Sequence, residues 1–413
     1  MKILLVQHHG FLNGSGGTEK ICCYLANNLV NNNFEVEIAT NQNSHGNPFF
    51  SLDEKIKITN IFDDQVIQKS TLELHNYKGK KLFLWVYYKI LKKYSKIYNK
   101  ILLKKWGGID ELNKFNLSNR SQAWGKYVIA SKPDLIITMS ISSLLEISYK
   151  NDYDIPIINS VNGRPDYDYS DLLWYRSENE MQLLKDSYKS LSGIQVLFES
   201  YKEYLPDTFK GKAFTITNPV FQIDDSEIVN HSNVKERFKI VNIATLATNC
   251  KQQDVAILVF SRLANKYLNW DLHFWGIGSD LEMLQNLVRQ LNIEDRVFFN
   301  GFTSNPIDKL KESDLFIFPS KYEGFGLALV EAMTVGLPCI GFETCSGVNE
   351  LIEHNTNGFL VKNEEEMKDA LVTLMTNSDL RKKMGANAHE MAKKHNEKDV
   401  LDEWISQINQ FLV

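Results

Sequence analysis

Short apolar runs alternate with longer amphipathic stretches along most of the chain. Residues 2–6 form a continuous apolar run of the kind buried on both faces of a parallel sheet. A loop carrying Gly10, Gly14, Gly16 and Gly17 follows, and then Ile21, Cys22, Leu25 and Leu29 recur at helical spacing. Residues 35–40 read as a second strand, so the chain opens with a strand, a glycine-rich loop, a helix and a strand. Further buried strands are expected at 134–138, 156–160 and 193–197, with a candidate at 55–61. Between residues 41 and 131 the one clear element is a long helix over 80–105. Around residues 218–236 the periodicity fades into Pro219 and several acidic residues. It then restarts as strand, helix, strand, from 239–244 to 315–319, and the chain ends in helices near 364–376, 380–395 and 398–411.

Strands that alternate with helices predict doubly wound parallel sheets. With 413 residues the chain is long for a single core, and two α/β domains are the natural expectation. The pattern divides it into an amino-terminal Rossmann-like domain over 1–218 and a second over 219–395. The last helix, about 396–413, is expected to pack back on the first domain.

The net charge of -5 argues against a generic nucleic-acid binder. Five cysteines without metal-ligand spacing suggest a reducing, cytosolic compartment. No run approaches the roughly 20 apolar residues of a membrane helix, and the opening residues read as a strand rather than a signal peptide.

Candidate chemistry concentrates in Glu323-Gly324-Phe325-Gly326-Leu327, which follows a predicted strand and opens a helix. Glycines there let the backbone approach a ligand, and the free N–H groups of the helix start favour an anion. Glu323 on the loop is placed to accept hydrogen bonds from sugar hydroxyls. Glu331, two turns on, is placed to reach a polyol such as ribose. Two carboxylates flanking an anion-binding turn suit a sugar diphosphate. The same spacing also fits a plain glycine-rich connection with two solvated glutamates.

The Glu323-x7-Glu331 segment resembles the signature of retaining glycosyltransferases of family 4, which have the GT-B fold. Segments in matching order carry the resemblance through nearly the whole chain: Gly16-Gly17-Thr18-Glu19-Lys20, Lys132-Pro133-Asp134, Asn300-Gly301-Phe302, Gly347-Val348-Asn349-Glu350 and Asn357-Gly358-Phe359. The resemblance implies transfer of a sugar from a nucleotide-sugar donor, expected to be UDP-linked, to a hydroxyl of a glycan or lipid-linked glycan in bacterial surface polysaccharide synthesis. It implies no cofactor and no metal. By the same resemblance Glu323 holds donor-sugar hydroxyls, and the backbone of Gly324, Phe325, Gly326 and Leu327 holds sugar and diphosphate. Glu331 holds ribose, Phe302 borders the base, and Gly16 and Gly17 approach the diphosphate from the opposite domain. Lys251 falls where the family keeps a lysine against the leaving diphosphate. On spacing alone Lys251 is equally a solvent-facing residue at a helix start, and Gly16-Gly17 equally a tight turn.

Two positions depart from the family pattern. Thr245 stands where an arginine is frequent, which leaves Lys321 or Arg262 as conceivable substitutes. Asn162 stands near the reacting centre where a histidine is frequent; an amide positions groups but is no base. Next to it Arg164 is a candidate for an acceptor phosphate, and His9, after the first strand, for the acceptor side of the cleft. These departures keep open a catalytically weak accessory or binding subunit; a sugar-nucleotide epimerase is the rival enzyme. A dinucleotide dehydrogenase fits poorly, because the loop at residues 10–17 lacks Gly-x-Gly-x-x-Gly.

One segment runs against the overall charge. Residues 78–105 hold ten lysines and no acid, interleaved with Phe83, Trp85, Tyr87, Tyr88, Tyr94 and Tyr98. A basic amphipathic helix of this composition either covers its own domain or lies on an anionic membrane surface.

Overall fold

The computed structural model describes residues 1–412 except 78, 80, 173, 174 and 234. Lys78 and Lys80, which open the basic segment, thus lie outside the described residues.

Two sheets, each wholly parallel, organise the chain. The first orders its seven strands β3-β2-β1-β4-β5-β6-β7. They are β1 (Lys2–Val6), β2 (Glu35–Thr40), β3 (Lys57–Asn60), β4 (Leu135–Thr138), β5 (Ile157–Ser160), β6 (Gly193–Val196) and β7 (Lys212–Thr215). The second orders six strands β10-β9-β8-β11-β12-β13. These are β8 (Phe238–Ile243), β9 (Trp270–Trp275), β10 (Val297–Phe299), β11 (Leu315–Phe318), β12 (Cys339–Phe342) and β13 (Gly358–Val361). In both sheets the strand order reverses, between β1 and β4 and between β8 and β11. Ligands of open α/β sheets bind at the carboxyl ends of the strands beside such a switch point.

The apolar runs became strands because both of their faces are covered. Ile3, Leu4, Leu5 and Val6 are fully buried, as are Leu315 and Phe316. Lys132-Pro133-Asp134 secures the first sheet. Lys132 adopts the left-handed conformation that ends the preceding helix, and the Asp134 carboxylate accepts the backbone N–H of Lys2 at 2.7 Å.

The stretch that was hard to read holds two helices, α2 (Leu82–Trp106) and α3 (Ile109–Ser131), after α1 (Gly17–Asn31) and before α4 (Ile141–Ser148). The sequence reading found α2 but not α3. The buried side of α3 includes Ser121 and Gly125, which break the apolar period. Gly125 is required where it stands, since a Cβ there would come within 2.7 Å of the Asn151 amide oxygen. The Ser121 hydroxyl donates to the carbonyl of Tyr149 at 2.6 Å.

The chain passes between the sheets twice, and the two passages touch. The Val220 N–H donates to the His395 carbonyl at 2.8 Å, and His395 Nδ1 lies 2.9 Å from Thr217 Oγ1. The final helix, Glu397–Phe411, lies on the first sheet's domain. Trp404 packs edge-on to Phe214 at 6.0 Å, and the Phe411 ring covers Gly193.

Candidate active site

A cavity of about 310 Å³ lies between the domains at the carboxyl edges of both sheets. Gly17 and Thr18 line it from the start of α1 and Asn162 from the loop after β5. Ala244, Thr245 and Lys251 come from the stretch after β8, and residues 323–328 from the turn after β11. Sequence positions more than 300 residues apart thus meet in one place.

Two helix starts face this cavity from opposite sides. α1 begins after Gly16, and the helix Leu327–Thr334 begins after Gly326, whose φ of 90° is left-handed. No side chain caps either start. The first N–H groups of a helix have no intrahelical acceptor, and the helix dipole adds partial positive charge there. Both domains therefore offer unpaired donors to one volume, an arrangement suited to an anion with more than one charged centre. The two starts lie close, since a Cβ on Gly17 would meet Leu327 Cδ1 at 3.2 Å.

The glycines of the second turn have separate reasons. Gly326 supplies the left-handed backbone. Gly324 supplies room, because a Cβ there would fall 1.7 Å from the carbonyl oxygen of Asn162. Phe325 anchors the turn to the first domain by stacking on Phe198 at 5.5 Å between ring centres, and His395 meets its edge at 5.2 Å. The Tyr201 hydroxyl donates to the Gly324 carbonyl at 2.8 Å.

Charge in the cavity is concentrated in one pair. Lys251 Nζ lies 2.7 Å from Glu323 Oε1, with side-chain exposures of 23% and 8%. Burial acts to lower the Lys251 pKa, but the Glu323 carboxylate outweighs it, so the ammonium titrates above the usual lysine range. Among the described residues Lys251 is the one cation lining the cavity. Neither substitute considered for Thr245 joins it. Arg262 pairs with Glu364 and Glu365 on the outer surface, and Lys321 lies over the Tyr322 ring at 5.2 Å. Glu331, further along the helix, is bound by Lys20 of the first domain at 2.7 Å. That ion pair links positions 311 residues apart and carries no local signal in the sequence.

Other expected residues lie elsewhere. Asn162 does line the cavity, and its Nδ2 donates to the Met139 carbonyl at 2.5 Å, which ties the β5 loop to the end of β4. Gly16 lies just behind the cavity, where a Cβ would collide with the Glu19 carboxylate at 2.5 Å. Arg164 is already paired. Asp166 holds its guanidinium at 2.7 and 2.9 Å, Tyr167 and Tyr204 cover it, and it does not line the cavity. His9 lies beside a different pocket from the one between the domains. It is exposed, whereas His8 lines a separate cavity of about 320 Å³ with Arg120, Glu146 and Asn113. Burial lowers the His8 pKa to about 4, against the opposing pull of Glu146, so the ring is neutral near pH 7. Phe302 is half exposed and meets Phe49 of the first domain edge-on at 5.9 Å. Phe49 was absent from the sequence reading because only the facing domains bring it to Phe302. Asp225, His389 and Glu390 form a potential ligand cluster, but they do not line the cavity.

Two parallel α/β domains meeting at their carboxyl edges around an anion-receptive cleft define the GT-B fold. Residues 224–391 match the model of the family described as glycosyl transferases group 1. An uncharacterized glycosyltransferase of Haemophilus influenzae is 32% identical over 214 residues, covering 51% of this chain and 59% of that protein. A poly(ribitol-phosphate) alpha-N-acetylglucosaminyltransferase of Staphylococcus aureus is 27% identical over 274 residues, covering 65% of this chain and 53% of the relative. The chain thus spans between half and three fifths of the length of these relatives. The crystal structure of S. aureus TarM in complex with fondaparinux, alpha-GlcNAc-glycerol and UDP superposes with a TM-score of 0.71 over 98% of this chain and 99% of that one. At 16% identity that likeness shows the fold alone.

Proposed function

We propose that this protein is a retaining glycosyltransferase that moves a sugar from a UDP-linked donor to a hydroxyl of a bacterial surface glycan, free or lipid-linked. The observation that carries the reading is the convergence of two uncapped helix starts and Lys251 on one cavity. The diphosphate of the donor lies between the helix starts. Glu323 accepts hydrogen bonds from the sugar hydroxyls, and Glu331 from the ribose. Phe302, with Phe49 opposite, borders the base. The donor has two ion pairs to displace, Lys251–Glu323 and Lys20–Glu331. Displacing the first frees Lys251 to meet the phosphate.

In the transfer the bond from the anomeric carbon to the phosphate oxygen breaks, and the acceptor hydroxyl bonds to the same face of that carbon. Its proton passes to the leaving phosphate, so no protein base is required and Asn162 serves as a positioning residue. Charge that grows on the diphosphate is stabilised by Lys251 and by the N–H groups at residues 326–328. Similarity to the poly(ribitol-phosphate) alpha-N-acetylglucosaminyltransferase of S. aureus supports sugar transfer to a surface polymer.

Thermal stabilisation by a panel of nucleoside diphosphates and nucleotide sugars tests the reading. A ligand that binds only the native state raises the melting temperature. A selective shift with UDP and one UDP-sugar is expected, and Glu331→Ala should abolish the discrimination between UDP and its dideoxyribose analogue. The absence of a shift with every nucleotide would sink the proposal and favour an accessory subunit.

A further inference from the structure

α2 carries an apolar stripe that none of the described residues covers. Phe83, Tyr87, Ile90, Tyr94, Ile97 and Ile101 follow one another at alternating intervals of four and three residues, so they share one helix face. Every one of them is exposed, Phe83 by 79% and Ile90 and Ile101 by 64% each. The stripe is about 27 Å long at the α-helical rise. The opposite face holds the helix to its domain. Tyr88 stacks on Tyr77 at 5.4 Å, Asn99 exchanges two hydrogen bonds with the backbone of Leu72, and Trp106 packs on Phe115 at 4.2 Å. The apolar residues therefore do not serve the fold. Contiguous exposed apolar surface of this kind marks an interaction site.

The charge beside the stripe identifies the occupant. Lys89, Lys93, Lys96, Lys100 and Lys104 recur at the same intervals and form a row along one flank. Among the described residues none of them pairs with a carboxylate, and α2 contains no acidic residue. A second copy of α2 would offer these lysines no counter-charge, and in an antiparallel pair the two lysine rows would face each other. A bilayer with anionic headgroups satisfies both surfaces: the apolar side chains enter the acyl boundary, and the lysines extend to the phosphates.

We propose that the outer face of α2 seats the protein on an anionic phospholipid bilayer. The proposal does not depend on the donor chemistry, because none of these residues lines the cavity between the domains.

Flotation with vesicles of one part phosphatidylglycerol to two parts phosphatidylcholine, at about 0.15 M salt, tests it. The full-length protein should float with these vesicles and stay behind with pure phosphatidylcholine. The variant Phe83→Ser/Ile90→Ser/Ile97→Ser should lose flotation without a change in melting temperature, since these side chains are already in water. Lys93→Gln/Lys96→Gln/Lys100→Gln should lower partitioning by roughly five-fold per lysine, about a hundred-fold in all. Both variants should keep the nucleotide response of the parent. Failure of the parent protein to float would overturn the proposal. So would a serine variant that floats unchanged, or one that turns a dimer into a monomer, which would assign the stripe to a second copy.

Discussion

Lys251 and Glu323 hold each other in a largely buried pair, and in the proposed function each is also a group that meets the donor. Such pairs keep a site formed without ligand, because an isolated charge at that depth would be costly. Lys251→Ala removes the counter-charge of the leaving diphosphate. Loss of one stabiliser of transition-state charge costs about a hundred- to a thousand-fold in turnover. The expected result is a kcat for UDP release lowered by about that factor, with a smaller change in KM. A kcat within about three-fold of the parent protein would contradict the role given to this lysine. Arg164 makes the opposite point. It has the charge to bind phosphate, but Asp166 already occupies the Nε–Nη2 edge of its guanidinium. Charge can be read from sequence; whether a charge is available depends on which neighbours fold against it.

At the scale of elements, the turn after β11 shows how a short stretch becomes a site. The strand delivers the chain to the sheet edge, Gly326 turns it through a left-handed conformation, and the helix begins with free N–H groups. Gly326→Ala puts a Cβ on a residue at φ 90°. The nearest atoms would lie 3.6 Å away, so the strain is in the backbone and not in packing. A cost of about 1–2 kcal/mol in unfolding free energy is expected, together with weaker UDP binding as the helix start shifts. Denaturant unfolding and UDP titration of the variant check both, and unchanged values in both would remove the left-handed turn from the account. α3 shows the converse. It is long and its buried side is well defined, yet Ser121 and Gly125 occupy that side because Tyr149 and Asn151 approach it closely. A helix that mixes Ser121 and Gly125 with Leu117, Trp124 and Val128 on its buried face gives only a broken apolar period to read.

For the whole molecule, the two passages between the domains meet at His395, which is buried against Phe325 and bonded to Thr217. Burial lowers its pKa from 6.5 to about 4, with a smaller push from Lys394. The unfolded chain therefore takes up the proton first as pH falls. The contribution of this neutral ring is complete above about pH 6.5 and is lost as pH drops toward 4. The loss over that window is on the order of 3 kcal/mol. His395→Gln keeps a polar group without the titration. Its urea midpoint should vary less with pH than the parent protein's across this window, and equal slopes would dismiss the assignment. His8 titrates in the same sense but is untouched by the substitution, so the difference between the two proteins isolates His395.

The sequence by itself determined the two parallel sheets, the glycine turns that open α1 and the helix after β11, and the pairing of Glu323 and Glu331 around one of those turns. These are local facts: an apolar run can satisfy its surface only between two layers of helix, and the left-handed turn at Gly326 favours glycine. The basic, aromatic composition of α2 was equally legible. Tertiary structure alone decided which of its faces is free, because Asn99 and Tyr88 are held by residues 72 and 77 while Ile90 is not. It also decided that Lys20 meets Glu331, that Phe49 meets Phe302, that His8 rather than His9 lines a cavity, and that Gly324 must be glycine to admit the backbone of Asn162. Each of these joins segments whose separation along the chain carries no local signal, and packing the two domains together is what creates the contact.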